Sequence, residues 1–362
     1  MRTRATNKKR LNVPRIIYLF GDGGRYSGQI RRADTHEMHF FRYSFDDYMA
    51  VTPSGLSYKV DSGKLRETVG EAFSGCYNAC ACDSNDALLL QFFAKKSGAG
   101  QVPFFINEVD KFEMAGWVNN FIRNYYKEDF LKEFIESPLN HWMHIIKGRK
   151  EFYTSLGIDE NNLFYLPMSE AAIEFTLPGF FNKRRFAANG TQGRFKDKII
   201  AAGTHNRDFN TLTQAAAAAD IEVHIITNLK LNPPIDAPGV IWHDSLPEND
   251  FIQAIKDAKC MVIPLHIDNR ASGQMGCAIA MRMGKAVVTT RCESLSDHII
   301  HGETGFLYES GSVEELSSLL ARIGESPDEL RIIGDNAQKK EISLSAIASK
   351  NISGFLDRIK HI

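Results

Sequence analysis

Short apolar runs that alternate with stretches of helical periodicity organise the first part of the chain. Runs typical of buried strands occupy residues 15–20, 77–83 and 102–110, and helical spacing occupies residues 87–96. This alternation predicts parallel strands joined by helical crossovers, as in an α/β domain.

The periodicity is weaker between residues 112 and 190. Residues 112–153 are rich in aromatic side chains and are predicted to form several helices, followed by a short strand at 163–167. Residues 173–190 contain Pro178 and Gly179 and are predicted to be a linker. We therefore expect a domain boundary near residue 180, between an N-terminal α/β domain (1–180) and a second one (181–345).

Strands and helices alternate more regularly after residue 190. Strands are predicted at 198–202, 222–227, 239–243, 259–265, 286–290 and 305–308, and helices at 208–219, 248–258, 275–283 and 313–323. A terminal helix is predicted from Ser345 to the end, with 346–362 as a separate unit. The fold class is therefore α/β, with two doubly wound, Rossmann-like parallel-sheet domains that face a cleft.

The composition limits the classes of partner. The 362 residues carry 43 Lys and Arg against 44 Asp and Glu, a net charge of −1, with 43% hydrophobic residues. That length suffices for two cores, and the balanced charge argues against duplex nucleic acid as a partner. No apolar run approaches the roughly 20 residues that a membrane helix needs, so a cytoplasmic protein is expected.

The cysteines and the first ten residues are the two remaining compositional features. The six cysteines are too sparse for a disulfide scaffold, and the cluster of Cys76, Cys80 and Cys82 is read as ordinary buried thiols rather than a metal site. Residues 1–10 hold five basic side chains and no acidic one, and are predicted to be a flexible basic arm. Such an arm on an acidic domain would allow peripheral contact with anionic lipid at the inner face of a membrane.

Loops that follow strands are the candidate ligand sites, because doubly wound sheets bind ligands at the carboxyl ends of their strands. Gly203 and Thr204 begin the loop after the strand at 198–202, and Arg207 ends it just before a helix. A glycine lets a ligand approach the backbone closely, and an arginine guanidinium can donate two parallel hydrogen bonds to a phosphate. The alternative is a surface loop whose arginine pairs with a carboxylate.

A second candidate loop follows the strand at 259–265. Ala271, Ser272 and Gly273 form a run of small residues before Gln274, at the start of a predicted helix. Backbone N–H groups there, with the Ser272 hydroxyl and the Gln274 amide, suit an anion. The alternative is that Ser272 simply caps the helix.

The first domain offers acidic and glycine-rich candidates. Asp22, Gly23 and Gly24 follow the first strand, and Glu108 and Asp110 end the strand at 102–110. A carboxylate at either place could take a proton from an acceptor, or could be a helix cap or a solvated acid. The glycine turn lacks the Gly-Lys-Ser/Thr of a P-loop, and is read either as a close approach to phosphate or as a tight turn.

Two motifs carry a family resemblance. Residues 278–290, Ala-Ile-Ala-Met-Arg-Met-Gly-Lys-Ala-Val-Val-Thr-Thr, are followed by His-Gly-Glu-Thr-Gly-Phe-Leu at 301–307. This pair resembles the nucleotide-sugar glycosyltransferases of the two-domain GT-B type, group 1. The resemblance implies transfer of a sugar from a nucleotide-diphosphate donor, bound by the second domain, to an acceptor held by the first.

The resemblance also implies roles for individual residues. Gly203 and Arg207 match the positions that meet the diphosphate, and residues 272–274 match the loop beside the donor sugar. His243 matches the strand-end position at which members of the family approach the nucleotide base. Lys230 is the candidate for a second basic residue near the diphosphate.

One departure from the family pattern concerns a pair of glutamates eight positions apart. Here those positions hold Ala271 and Ile279, neither of which can accept a hydrogen bond. This departure makes a catalytically impaired donor-binding or scaffold protein an alternative to a hexosyltransferase. A nucleotide-sugar epimerase of the same fold is a second alternative.

The expected activity is transfer to a glycan, glycolipid or glycoprotein acceptor, in assembly of a polysaccharide or related glycan. The expected partners are the nucleotide sugar and that acceptor, with no nucleic acid and no required metal or other cofactor. Arg207, Asp22, Glu108 and Asp110 are the candidate catalytic residues.

Overall fold

The computed structural model of the chain describes residues 13–20, 30–42, 49–51, 58–60, 79–82, 84–98, 102–108, 122–123, 126, 128–181, 192–229, 237–267 and 271–360. Two mainly parallel sheets organise these residues, one of seven strands and one of six. The fold class predicted from the sequence is confirmed.

The first sheet is built from residues before position 166. Its strands are β1 (Arg15–Phe20), β2 (Ile30–Arg32), β3 (Glu37–Arg42), β6 (Ala79–Cys82), β7 (Phe104–Glu108), β8 (Asn140–His144) and β9 (Leu163–Tyr165). Their order is β2-β3-β1-β6-β7-β8-β9, and every pair is parallel except β2 with β3. A separate antiparallel pair joins β4 (Met49–Val51) to β5 (Tyr58–Val60).

The second sheet is parallel throughout. Its strands are β10 (Ile199–Ala202), β11 (Val223–Ile226), β12 (Val240–His243), β13 (Cys260–Ile263), β14 (Val287–Thr290) and β15 (Phe306–Tyr308). They lie in the order β12-β11-β10-β13-β14-β15. Because the strand order reverses between β10 and β13, a crevice opens beyond the carboxyl ends of these two strands.

Helices cover the faces of the two sheets. The described helices are α1 (Ser84–Ser97), α2 (Leu131–Glu136), α3 (Lys150–Ser155), α4 (Glu170–Thr176), α5 (Phe209–Ala219), α6 (Glu248–Asp257), α7 (Gln274–Arg282), α8 (Val313–Glu325) and α9 (Pro327–Ile359). In α8, Leu316, Leu320 and Ile323 are spaced to share one face of the helix and are buried against the second sheet. No helix in the described part of the chain combines the length and the apolarity that crossing a membrane requires.

Strand β8 corrects the prediction that residues 112–153 are helical. It pairs with both β7 and β9 inside the first sheet, between the short helices α2 and α3. All five of its residues are buried although Asn140, His141 and His144 are polar, so its sequence shows neither an apolar run nor the alternation that marks a half-exposed strand. Hydrophobic periodicity therefore gives no strand signal at this position.

The predicted linker also begins too early. Ile173 to Thr176 form the last turn of α4, in which Ile173 and Phe175 are buried. Ser169 is the N-cap of the helix, and its hydroxyl accepts a hydrogen bond from the N–H of Ala172, so a cap and an apolar face stabilise α4. Residues 182–190 lie outside the described residues.

Helix α9 is longer than predicted and links the two halves. It begins at Pro327, where proline suits the first helical turn, rather than at Ser345. Exposed Ile332 and Ile342 obscure the amphipathic pattern of its first part. Near its other end, Phe355 packs into the core of the first sheet, 4.6 Å from Phe105 between ring centroids.

Candidate donor-binding site

A cavity of about 460 Å³ lies at the carboxyl end of β10 and beside the start of α7. Ile145 and Met168, which follow β8 and β9, contribute to its wall, so both halves of the chain line it. We call it the cleft cavity. Its described lining is Ile145, Met168, Ala202, Gly203, Thr204, His205, Arg207, Phe251, Met261, Ala271, Ser272, Gly273, Gln274, Met275 and Gly276.

Six residues predicted from the two candidate loops lie together in this lining. They are Gly203, Thr204 and Arg207 from the loop after β10, and Ser272, Gly273 and Gln274 at the start of α7. The two loops are more than 60 positions apart in sequence and meet because their parent strands, β10 and β13, are neighbours. The topology thus brings them to one edge of the sheet.

The loop after β10 holds Arg207 against the backbone. Its Nε donates a hydrogen bond to the carbonyl of Ala202 (2.9 Å), and its Nη1 donates to the carbonyl of His205 (2.6 Å). Gly203 has a φ of +116°, and a Cβ atom there would collide with the guanidinium. Glycine is therefore required both for the backbone conformation and for the position of the arginine.

Arg207 brings a positive charge to the cleft cavity. Burial lowers its pKa to about 10, so the guanidinium stays charged at neutral pH. Among the described residues Arg207 has no carboxylate partner, and its bonds go to neutral carbonyls. The alternative of a surface arginine paired with a carboxylate therefore finds no support in the described residues. A largely buried cation without a counter-ion favours an anionic ligand.

Helix α7 presents its amino terminus to the same cavity. Its N-cap is Gly273, at a φ of +81°, and no side chain caps the helix. The alternative in which Ser272 serves as the cap is thus wrong. The first N–H groups of a helix lack intrahelical partners and carry partial positive charge, so they add to Arg207.

The Gln274 side chain has a structural contact in this site. Its Nε2 donates to the carbonyl of Ser294 (2.8 Å), and the residue is buried. This contact ties α7 to the turn after β14. Gly276 stands one turn further along the wall, where a Cβ would lie 3.0 Å from the end of Met261.

Contacts from the first half hold the opposite wall in place. The Asp297 carboxylate accepts hydrogen bonds from the Lys147 N–H (2.7 Å) and the Tyr165 hydroxyl (3.0 Å). His298 donates from Nε2 to the carbonyl of Met168 (2.8 Å), and burial lowers the pKa of this histidine, which favours the neutral ring. Met168 is thereby fixed beside the cavity.

His243 lies at the end of β12, outside the described lining of the cleft cavity. Its Nε2 is 2.9 Å from Nδ1 of His224, and its Nδ1 is 2.9 Å from the Arg194 guanidinium. Burial lowers the pKa of His243, with the charge of Arg194 adding to the effect. The base-contacting role implied by the resemblance stays a prediction.

Several predicted site residues lie outside the described residues. They are Asp22, Gly23, Gly24, Asp110 and Lys230. Glu108 is the last residue of β7, at the carboxyl edge that faces the cleft, and only its backbone is described. Their proposed roles therefore stay predictions.

The two positions that depart from the family pattern differ in their surroundings. Ala271 lines the cleft cavity, whereas Ile279 is fully buried in the core beneath α7. The described lining contains no carboxylate. Elsewhere, Cys80 and Cys82 are buried cysteines of β6 outside any disulfide, Cys76 lies outside the described residues, and no cluster of three potential metal ligands occurs among the residues described.

Sequence reasoning missed much of the apolar wall. Ile145, Met168 and Phe251 carry no motif and are identifiable only from their places after β8, after β9 and within α6. The signal available for Ile145 was the strand that precedes it, and that strand was interpreted as helix.

Comparison with known proteins agrees with this geometry. Residues 193–326 match the family model described as Glycosyl transferases group 1. The MMP alpha-(1->4)-mannosyltransferase of Mycolicibacterium hassiacum is 25% identical over 190 residues, which is 47% of this chain and 46% of that protein. The chain thus matches about half the length of this curated relative.

Solved structures extend the likeness over nearly the whole chain. Anabaena HepE in complex with UDP superposes with a TM-score of 0.62 at 13% identity, covering 95% of this chain and 100% of that one. A glycosyltransferase from Rickettsia africae gives a TM-score of 0.59 at 12% identity, covering 96% and 99%. At these identities the likeness concerns the fold.

The fold is that of the GT-B glycosyltransferases. The predicted resemblance to their group 1 family is confirmed, by sequence in residues 193–326 and by fold across the chain.

Proposed function

We propose that the protein is a glycosyltransferase that moves a hexosyl group from a nucleotide-diphosphate donor to a glycan, glycolipid or glycoprotein acceptor. The observation that carries the proposal is the convergence of Arg207, the loop at Gly203 and the uncapped start of α7 on one cavity between the two halves. The match to a mannosyltransferase and to a fold seen with UDP supports the same class of substrate.

The donor diphosphate is proposed to lie between Arg207 and the amino terminus of α7. The guanidinium and the helix N–H groups would bind the phosphates and stabilise the charge that develops on the leaving group. These groups supply positive charge without a metal ion, so we propose no required metal. Thr204 and Ser272 offer hydroxyls in the same wall.

Acceptor activation is proposed to come from the first half of the chain. Glu108, at the carboxyl end of β7, and the nearby Asp110 and Asp22 are the candidates for receiving the acceptor proton.

The basic residues 1–10 are proposed to bring the protein to anionic lipid, where a membrane-bound acceptor would lie. We expect that deleting residues 1–10 abolishes co-sedimentation of the protein with anionic liposomes. Unchanged co-sedimentation would refute the proposed contact of residues 1–10 with lipid.

A donor panel tests the proposal. The full chain is incubated with UDP-, GDP- and dTDP-sugars, and the melting temperature, free nucleotide and the structure of the sugar are followed with and without acceptor extracts. We expect one donor to raise the melting temperature and to release nucleotide only when an acceptor is present.

The other outcomes contradict the proposal in distinct ways. Binding without release in any extract would indicate a donor-binding scaffold, which Ala271 and Ile279 would then explain. Conversion of the sugar without transfer would indicate an epimerase. If no nucleotide sugar raises the melting temperature, the cleft cavity is not a donor-binding site and the proposed function is wrong.

A further inference from the structure

A second cavity of about 460 Å³ lies at the opposite end of the second sheet. Lys259 immediately precedes β13 and Lys285 lies two residues before β14, so this cavity is at the amino ends of the strands. Arg331, in the first turns of α9, also lines it. We call it the basal cavity, and it shares no described lining residue with the cleft cavity.

Among the described residues, the two lysines of the basal cavity donate hydrogen bonds to neutral carbonyls. The Lys285 Nζ donates to the carbonyl of Ala258 (2.7 Å), and the Lys259 Nζ donates to the carbonyl of Gly324 (2.9 Å). Neither forms an ion pair with a described residue. Since an ammonium carries three N–H donors, each lysine keeps donors for a ligand.

Arg331 is also weakly engaged. Its nearest carboxylates, Asp328 and Asp335, lie 3.8 Å and 3.9 Å away, beyond hydrogen-bond distance. Asp197 is the sole acidic residue in the described lining, which therefore holds three cations and one anion. Burial lowers the pKa of Lys285, while the charges of Asp257 and Asp197 act in the opposite direction.

The amino terminus of α9 lies at the basal cavity, and its first turn carries the acidic residues Asp328 and Glu329, of which Glu329 pairs with Arg322. The helix begins at Pro327, which lines the basal cavity, and no side chain of Ser326 caps it. Gly334 packs directly on the carbonyl of Gly284, and a Cβ at this glycine would collide with that oxygen. This close approach holds the helix start and Arg331 beside Lys285, where the helix dipole favours an anion.

We propose that the basal cavity binds a phosphate group, carried by the free ion or by a small phosphate monoester. Two ammonium groups, a guanidinium and a helix amino terminus converge on it, and these are the donors that phosphate recognition uses. Its volume is within the roughly 300 to 1,000 Å³ typical of small-molecule sites. Asp197 could accept a hydrogen bond from a hydroxyl of an ester.

Calorimetric titration of the full chain with inorganic phosphate and with glycerol 3-phosphate tests the proposal. We expect Lys285→Gln to weaken phosphate binding about tenfold or more, as for a lost charged hydrogen bond. Its affinity for nucleoside diphosphate should be unchanged. Lys132→Gln, which removes an 84% exposed lysine from α2, is the matched control and should alter neither. Tighter binding of the ester than of phosphate would assign the ester; equal binding would assign the ion.

Arg331→Gln is the second variant, because its 67% exposed side chain is not needed for folding. It should also weaken phosphate binding. Wild-type affinity in both variants, or no measurable phosphate binding to the wild type, would overturn the proposal. Loss of phosphate binding in Arg207→Ala alone would place the ion in the cleft cavity instead. Failure of the proposed function appears separately, as absent nucleotide-sugar binding by the wild type.

Discussion

Replacing Arg207 with alanine removes the one cation in the described lining of the cleft cavity. A hydrogen bond between a charged donor and a diphosphate is worth about 1.5–3 kcal/mol. At about 1.4 kcal/mol per factor of ten, the dissociation constant for a nucleoside diphosphate should rise roughly 10- to 150-fold. The burial of the guanidinium favours the upper part of this range, because less solvent screens the contact.

The substitution also affects the free protein. The carbonyl of Ala202, a buried residue, loses the donor Nε of Arg207, and an unsatisfied buried carbonyl costs about 1–3 kcal/mol. The melting temperature is therefore measured in parallel, and binding is measured well below it. Arg291→Ala is the matched control, since Arg291 lies in the same half of the chain, is half exposed and pairs with Glu309.

The assay is calorimetric titration with UDP and with GDP. The titrations are run at neutral pH, well below the pKa of about 10 to which burial lowers the Arg207 guanidinium, so that this group is charged. An unchanged dissociation constant in Arg207→Ala, with Arg291→Ala also unchanged, would refute the assignment of Arg207 to the diphosphate.

Four further predictions concern stability. Gly273→Ala should lower the free energy of unfolding by about 1–3 kcal/mol in urea titrations, because the residue has positive φ and its Cβ would lie 2.9 Å from Ile263. Gly354→Ala, in open space on α9, should raise it by up to about 1 kcal/mol. Glu341→Gln should flatten the pH dependence of the melting temperature. Burial raises the pKa of this carboxyl, so its neutral form contributes stability that is lost as the pH rises above about 4.5; a wild-type curve parallel to that of the variant would contradict this. Phe355→Ala should cost about 3–5 kcal/mol, and a loss under 1 kcal/mol would show that α9 does not hold the first core.

The second sheet was predictable because its strands alternate with helices that each have one apolar face. Leu316, Leu320 and Ile323 fall on one side of α8 by spacing alone. Doubly wound sheets bind ligands at the carboxyl ends of their strands, and this alone identified the loops at Gly203 and Ser272 as candidate ligand sites. Local pattern and topology were sufficient there.

Other features depend on contacts that no local pattern encodes. The helical interpretation of β8 failed because three of its five buried residues are polar, so neither an apolar run nor an alternation marks the strand. The packing of the Arg207 side chain on the backbone of Gly203 is a property of one turn in three dimensions. The caps and ion pairs between the halves, such as Arg149 with Glu293 (3.0 Å), join residues more than 100 positions apart.

The return of α9 to the first sheet has a consequence for the order of events during synthesis. Phe355, Leu356 and Ile359 belong to the same core cluster as Phe105 and Phe175, yet Phe355 is translated 180 positions after Phe175. At about 5–20 residues per second, that core waits roughly 9 to 36 seconds on the ribosome for its last side chains. The apolar surface opposite Phe175 is exposed during that interval. The first half of the nascent chain should therefore depend on holding chaperones more than the second half does.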